Sequence, residues 1–223
     1  MSQTAPIGAQ RAPVVFDLEI VRDPFEVGWD HPENMGVSVA VLYVYEPGIR
    51  VQGDTYGGAQ FHAFADVEMN AADCAEFSSL NFIDVLPEFL EAAEFVIGYN
   101  HVQFDYKVLA GHTNRAITQP RNCDLIQILG PRCSLDALAR CELGRGKGAD
   151  SADLPKLFRQ GQIARVLAEC RLHVELTRDL YERARRFQRL HAPAGIVTIP
   201  RTKLYPWKSR TVSTAKNAKK KLW

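Results

Sequence analysis

The sequence predicts a mixed α/β fold, a β-sheet flanked by α-helices, and three observations carry that expectation. Three strand-like segments come first. A short apolar strand then runs into the start of a helix. A long helical stretch with few breakers follows near the end. Strands first, then a βα crossover, then helices, is the order of one mixed sheet covered by helices.

The elements follow in order. Val14 to Val21 (VVFDLEIV) is apolar and β-branched apart from two acids and reads as a central strand. Arg22 to Asn34 holds Pro24, Gly28 and Pro32 and should be a loop. Gly36 to Tyr45 forms a second strand, turned by Pro47-Gly48, and Gln60 to Glu68 a third, completing an antiparallel meander. Ala71 to Ala93 has helical spacing, with Phe77, Leu80, Ile83, Leu86 and Leu90 on one broad face, while Pro87 kinks it or marks a start. Phe95 to Tyr99 is a short buried strand, and Phe104 to Ala110 opens the next helix. Cys123–Leu129 and Ser134–Cys141 read as two short helices, Leu143 to Asp150 as a glycine-rich basic loop, and Ile163 to Arg186 as one long helix. Beyond Pro193 the chain becomes extended and then lysine-rich. This divides the chain into a flexible N-terminus (1–13), one domain (14–190) and a basic C-terminal tail (191–223).

Composition narrows the function classes. The 223 residues have an ordinary apolar content, and no apolar run reaches the roughly 20 residues of a membrane helix. The N-terminus lacks a secretory layout, so a cytoplasmic protein is expected. The five cysteines are scattered without zinc-ribbon spacing and read as small buried thiols. Net charge is +1, but unevenly spread: Arg183 to Trp223 carries 12 basic residues and no acidic ones, whereas the preceding chain carries 15 basic and all 26 acidic residues. A basic arm on an acidic body suits nucleic acid, or lies against the body itself. Tyr205, Trp207 and Trp223 interleave with those cations, which fits either single-strand stacking or docking on the domain.

Two acidic motifs point to chemistry. Asp17 and Glu19, two apart on a strand, share one face. Paired carboxylates on an apolar strand are costly unless a cation lies between them, and hard oxygen ligands suit magnesium or manganese. The competing reading is an acid that caps or pairs with an arginine. Gly98-Tyr99-Asn100 ends a strand, and Asp105 follows at a helix start, a position that serves either as a cap or as a group projecting into the crevice at the strand ends.

Phe-Asp-Leu-Glu (16–19) followed by Gly-Tyr-Asn-x-x-x-Phe-Asp (98–105) resembles the first two motifs of the DEDD 3′–5′ exonucleases, the group containing the polymerase proofreading domains. The similarity continues through residues 35–40, 104–109, 123–125 and 134–139 and covers roughly Val14 to Tyr181, in the manner of a bacterial branch. The resemblance implies a ribonuclease H-like fold and metal-dependent phosphodiester hydrolysis at a DNA or RNA 3′ end, with single strands as the expected partner. It implies Mg²⁺ or Mn²⁺ held by Asp17, Glu19 and Asp105, with Leu18 and Asn100 cradling the terminal nucleotide. Asp124 matches a position with a structural role.

The third motif breaks. Where the family carries a Tyr and an Asp on the long helix, this chain has Glu169 and His173. Three readings follow: hydrolysis is lost while nucleic-acid binding persists; His173 ligates a metal other than Mg²⁺; or Glu169 supplies the carboxylate while His173 acts as the base. An imidazole in place of a carboxylate removes negative charge from the site, which favours one bound ion over two. Arg145 and Lys147 lie in a loop that either touches phosphate or is a solvated turn, and no P-loop motif is present.

Overall fold

A computed structural model describes residues 12–45, 60–67, 74–119, 121–130 and 133–205. The strands are β1 (Val14–Ile20), β2 (Val37–Val44), β3 (Gln60–Phe64), β4 (Ser79–Asn81), β5 (Val96–Gly98), β6 (Asn122–Asp124), β7 (Arg189–Ala192) and β8 (Gly195–Thr198). The helices are α1 (Pro24–Val27), α2 (Leu86–Ala92), α3 (Asp105–Thr113), α4 (Leu125–Leu129), α5 (Leu135–Leu143), α6 (Leu154–Arg159), α7 (Ile163–Phe187) and α8 (Arg201–Leu204).

Six strands form one sheet in the order β4-β3-β2-β1-β5-β6. The meander β1–β2–β3 is antiparallel as expected, and β1, β5 and β6 run parallel through helical crossovers. Period-two alternation along β1 decides what faces what. Val14, Phe16 and Leu18 point to a core with residues of α2 and α3. Val15 belongs to the other core, built with α5 and α7. Asp17 and Glu19 continue Val15's face, so the acids point toward the long helix.

Several expectations need correction. Residues 71–93 do not form one helix: from Cys74 on, the chain makes edge strand β4, parallel to β3, then a 3-10 turn (Ile83–Val85), then α2. Asp66 accepts the Ile83 N–H (2.9 Å) and fixes that turn, and Pro87 sits in the first turn of α2, where its missing N–H costs nothing. Leu80 and Phe82 are exposed rather than packed on a helix face. Cys123 and Asp124 belong to β6, so the helix there begins only at Leu125. Residues 22–34 are a loop interrupted by α1 and by a 3-10 turn at Pro32–Asn34. The third strand stops at Phe64, and Glu68 lies outside the described residues.

Residues 1–11 also lie outside them, as does the tail beyond Tyr205. Within 191–205 the chain completes the β7–β8 hairpin, buries Ile199 and Leu204, and sets the Tyr205 ring against Phe95 and Tyr181 at 6.0 and 6.4 Å. Docking is therefore what Tyr205 does; Trp207 and Trp223 are not described. None of the five cysteines is part of a disulfide; Cys123, Cys133 and Cys170 are buried, whereas Cys141 is exposed and Cys74 half-buried. Among the described residues, no helix is long and apolar enough to cross a membrane.

Candidate functional site

The carboxyl ends of β1 and β5 open into a cleft of about 320 Å³. Its walls include Asp17, Leu18, Glu19, Tyr99, Asn100, Asp105, Lys147 and His173. Six of the seven residues singled out from sequence (Asp17, Leu18, Glu19, Asn100, Asp105 and His173) thus share one cavity. Glu169 is not among them.

Each side chain arrives for a local reason. The strand period delivers Asp17 and Glu19 together. At the end of β5, Gly98 permits a tight turn, since a Cβ there would lie 2.5 Å from the His101 ring. Asn100 adopts a left-handed conformation (φ 68°), one that asparagine tolerates well. Asp124 secures the turn by accepting the N–H groups of Asn100 (2.8 Å), Val102 (3.2 Å) and Ile126 (3.2 Å). That is a structural task, as the resemblance implied. The turn delivers Asp105 at the first position of α3, where its Oδ1 accepts the Leu18 N–H at 3.2 Å.

From the other side, α7 brings in His173, only 2% exposed. Its Nδ1 lies 3.3 Å from Asp17 Oδ2 and 2.8 Å from Glu19 Oε1. The Glu19 contact is an ion pair by distance but is not aligned as a hydrogen bond, and Glu19 Oε1 and His173 Nε2 are both buried without hydrogen-bond partners. One ligand-type atom from each of Asp17, Glu19 and His173 lies within 4.8 Å of the others.

Electrostatics follow from burial and crowding. Burial raises the pKa of Glu19, opposed by His173 and reinforced by Asp17. Burial, then the Asp17 charge, pushes Asp105 well above the usual carboxylate range. For His173 burial alone would lower the pKa, but Asp17 and Glu19 outweigh it and hold it at about 9. In the metal-free protein the imidazolium is therefore the internal counter-ion of the acids.

A pH dependence follows. A folded-state pKa raised from 6.5 to about 9 gives stability that is fully present below pH 6.5 and is lost as pH rises through 9. Thermal melts in chelator should show this loss, on the order of 2–4 kcal/mol. A His173→Gln variant should lack it. Parallel curves for the two proteins between those pH values would refute the ion pairing.

A divalent cation fits this cluster. Asp17, Glu19 and His173 gather within reach of one ion, Asp105 lines the same cleft, and the buried Glu19 Oε1 has its His173 ion pair but no aligned hydrogen bond. The donor set, hard oxygens with one imidazole nitrogen, suits Mn²⁺ better than Mg²⁺.

Glu169 has a different task. Its Oε2 accepts the N–H groups of Gly148 (3.2 Å) and Ala149 (3.1 Å), tying the glycine-rich loop to α7. A Cβ on Gly148 would meet Glu169 Oε1 at 2.4 Å, so a larger residue there would make the Glu169 carboxylate shift. The helical spacing of Glu169 and His173 is real, yet the loop engages Glu169 and leaves His173 at the acids. The same loop places Lys147 in the cleft wall, with Nζ donating to Ser151 Oγ at 2.7 Å and its charge felt by Glu19. It is thus more than a solvated turn at Lys147. Arg145 instead pairs with Asp179.

Sequence reasoning missed the aromatic residues of the cleft, Phe25, Trp29 and Phe104. Phe25 and Trp29 sit in a proline- and glycine-punctuated loop, where no periodicity marks them. Two large aromatic residues so close behind the acidic strand were the available signal.

No family model matches the sequence, and no curated protein matches it. Among solved structures, the fold is similar to that of a family B DNA polymerase from the hyperthermophilic archaeon Pyrobaculum calidifontis, with a TM-score of 0.50 and 15% identity. The match covers 81% of this chain and 25% of the polymerase, so the chain spans about a quarter of the length of that protein. At such identity the likeness concerns the fold alone. Sheet order, crossovers and flanking helices together make this a ribonuclease H-like α/β fold.

Proposed function

We propose that the protein is a metal-dependent 3′–5′ exonuclease-type hydrolase acting on the ends of single-stranded DNA or RNA. The observation that carries this reading is the convergence of Asp17, Glu19 and Asp105 in one cleft, with the buried Glu19 Oε1 ion-paired to His173 but without an aligned hydrogen bond. The likeness to a quarter of a DNA polymerase supports it, as would be expected if that quarter were a proofreading unit.

In this reading Asp17, Glu19 and Asp105 hold Mn²⁺ or Mg²⁺, with His173 in the place of a fourth acid. When bound, the ion would supply an activated water and neutralise charge on the phosphate. Leu18 and Asn100 line the floor under the terminal nucleotide; the Leu18 N–H is already committed to Asp105 and its side chain is packed in the core, so Leu18 contributes shape rather than a bond. Lys147 offers a positive charge to the phosphate from the opposite wall. Glu169 acts as a positioning residue that fixes the Lys147 loop, not as a base.

One observation favours a second reading, a catalytically inactive nucleic-acid-binding module: the His173 imidazolium already occupies the space between Asp17 and Glu19. A 5′-labelled single strand, as DNA and as RNA, incubated with Mn²⁺ or Mg²⁺ separates the two. Stepwise 3′ shortening that stops in chelator is the expected result. Salt-sensitive binding without shortening under any metal would favour the inactive module. Neither binding nor shortening would sink both readings.

A further inference from the structure

We propose that Phe25 and Trp29 form a stacking platform for the base of an unpaired terminal nucleotide, an inference that rests on the nuclease reading above. Phe25 is 85% exposed and Trp29 64%, and both line the cleft that contains Asp17, Glu19 and Asp105. Leaving two large aromatic rings in water forgoes several kcal/mol of burial at roughly 25 cal/mol per Å². Such exposure of two adjacent rings marks a contact surface.

The display is braced. Asp23 Oδ1 accepts the Phe25 N–H at 2.8 Å, and Pro24 occupies the first turn of α1. The Gly28 N–H closes the turn on Pro24 O at 2.8 Å, with Gly28 at φ 92°. Arg159 on α6 then ties the loop down, donating to Glu26 Oε1 (2.9 Å) and to the Val21 carbonyl (3.3 Å). The loop that carries the rings is thus fixed beside the acids, and the rings meet each other there.

Geometry says how a base would bind. The ring centroids are 6.0 Å apart at 85°, an edge-to-face pair. Rings that close and that far from parallel leave no room for a third ring between them. A base therefore stacks on an outer face of the pair instead of being sandwiched. A cleft of about 320 Å³ is at the small end of ligand sites and suits one nucleotide, not a base pair. Stacking also complements the acids: it accepts any base and does not depend on counterion release, while the phosphate is left to the ion and Lys147. An acidic peptide or a membrane surface finds no such match, since Asp17, Asp23, Asp105 and Asp150 line the same cavity.

The test uses the full-length protein with Mn²⁺ and a 5′-fluorescein single strand carrying 2-aminopurine at its 3′ end. A phosphorothioate at the last linkage slows cleavage. Wild type should quench the 2-aminopurine. A Phe25→Ala/Trp29→Ala variant should bind roughly ten- to a hundredfold more weakly and leave the probe bright. The ring-preserving swap Phe25→Trp/Trp29→Phe should keep both signals, and a strand ending in an abasic nucleotide should bind both proteins alike. Wild-type binding without quenching, or equal affinity in the double alanine variant, overturns the platform. If the same wild-type preparation shortens an unmodified strand, the nuclease reading survives that result. Wild type that neither binds nor shortens any strand overturns the nuclease reading and the platform with it.

Discussion

An Asp17→Ala variant should lose metal-dependent shortening of a labelled strand by about a thousandfold or more. Asp17 stands at the centre of the cluster: its carboxylate faces His173 at 3.3 Å, and its charge is felt at both Glu19 and Asp105. Removing it leaves two buried acids, neither able to replace its oxygens from the same strand face. Lewis-acid stabilisation of the transition state is worth several kcal/mol, and each 1.4 kcal/mol is about a factor of ten in rate. Glu19 remains to pair with His173 at 2.8 Å, so the variant should fold; a cooperative thermal melt checks this. Single-turnover rates at saturating Mn²⁺ separate lost chemistry from weakened metal binding, and Asp17→Asn, which keeps the shape, should be nearly as impaired. Shortening within about tenfold of wild type would mean that the ion, if there is one, sits elsewhere.

What was legible in the sequence had short-range causes. The pairing of Asp17 with Glu19 is written in a period of two, and the meander in its β-branched runs and turns. The 25-residue α7 could be read because nothing breaks it. Elements whose identity depends on distant partners were not legible. Residues 71–93 carry helical spacing, yet β3 offers an open edge that recruits β4, and no local signal announces that edge. The Asp105 contact with Leu18 spans 87 residues and the His173 contact with Asp17 spans 156, so only the resemblance of the motifs brought them together in advance. Glu169 illustrates the limit of periodicity. Spacing put it on the face of His173, but which loop covers which turn of a helix is a tertiary fact, here the Gly148 and Ala149 N–H groups meeting the Glu169 carboxylate. Phe25 and Trp29 escaped for the opposite reason, because a braced surface loop has no period to read.

His173→Asp should raise Mg²⁺ affinity by roughly a hundred- to a thousandfold and narrow the preference for Mn²⁺. At neutral pH the wild-type imidazole, with its pKa held at about 9, carries a proton, so an incoming ion must either displace that proton or be repelled by it. Aspartate at the same place turns a positive charge into a negative one within ion-pair reach of Asp17 and Glu19. A unit charge about 4 Å away is worth about 4 kcal/mol at an effective dielectric near 20, and each 1.4 kcal/mol is about one power of ten. The same substitution has a cost. Without metal, a fourth carboxylate would join Asp17, Glu19 and Asp105 with only Lys147 in the cleft wall to offset them, so the variant should melt at lower temperature than wild type in chelator and recover on adding Mg²⁺. Titration calorimetry and paired melts read both effects. If the protein is a nuclease slowed by its histidine, shortening with Mg²⁺ should rise along with affinity; if the histidine has disabled it, activity should appear where wild type has none. Unchanged Mg²⁺ affinity in a folded variant would mean that position 173 does not face the ion, because a two-unit change of charge cannot be silent at a buried ligand position.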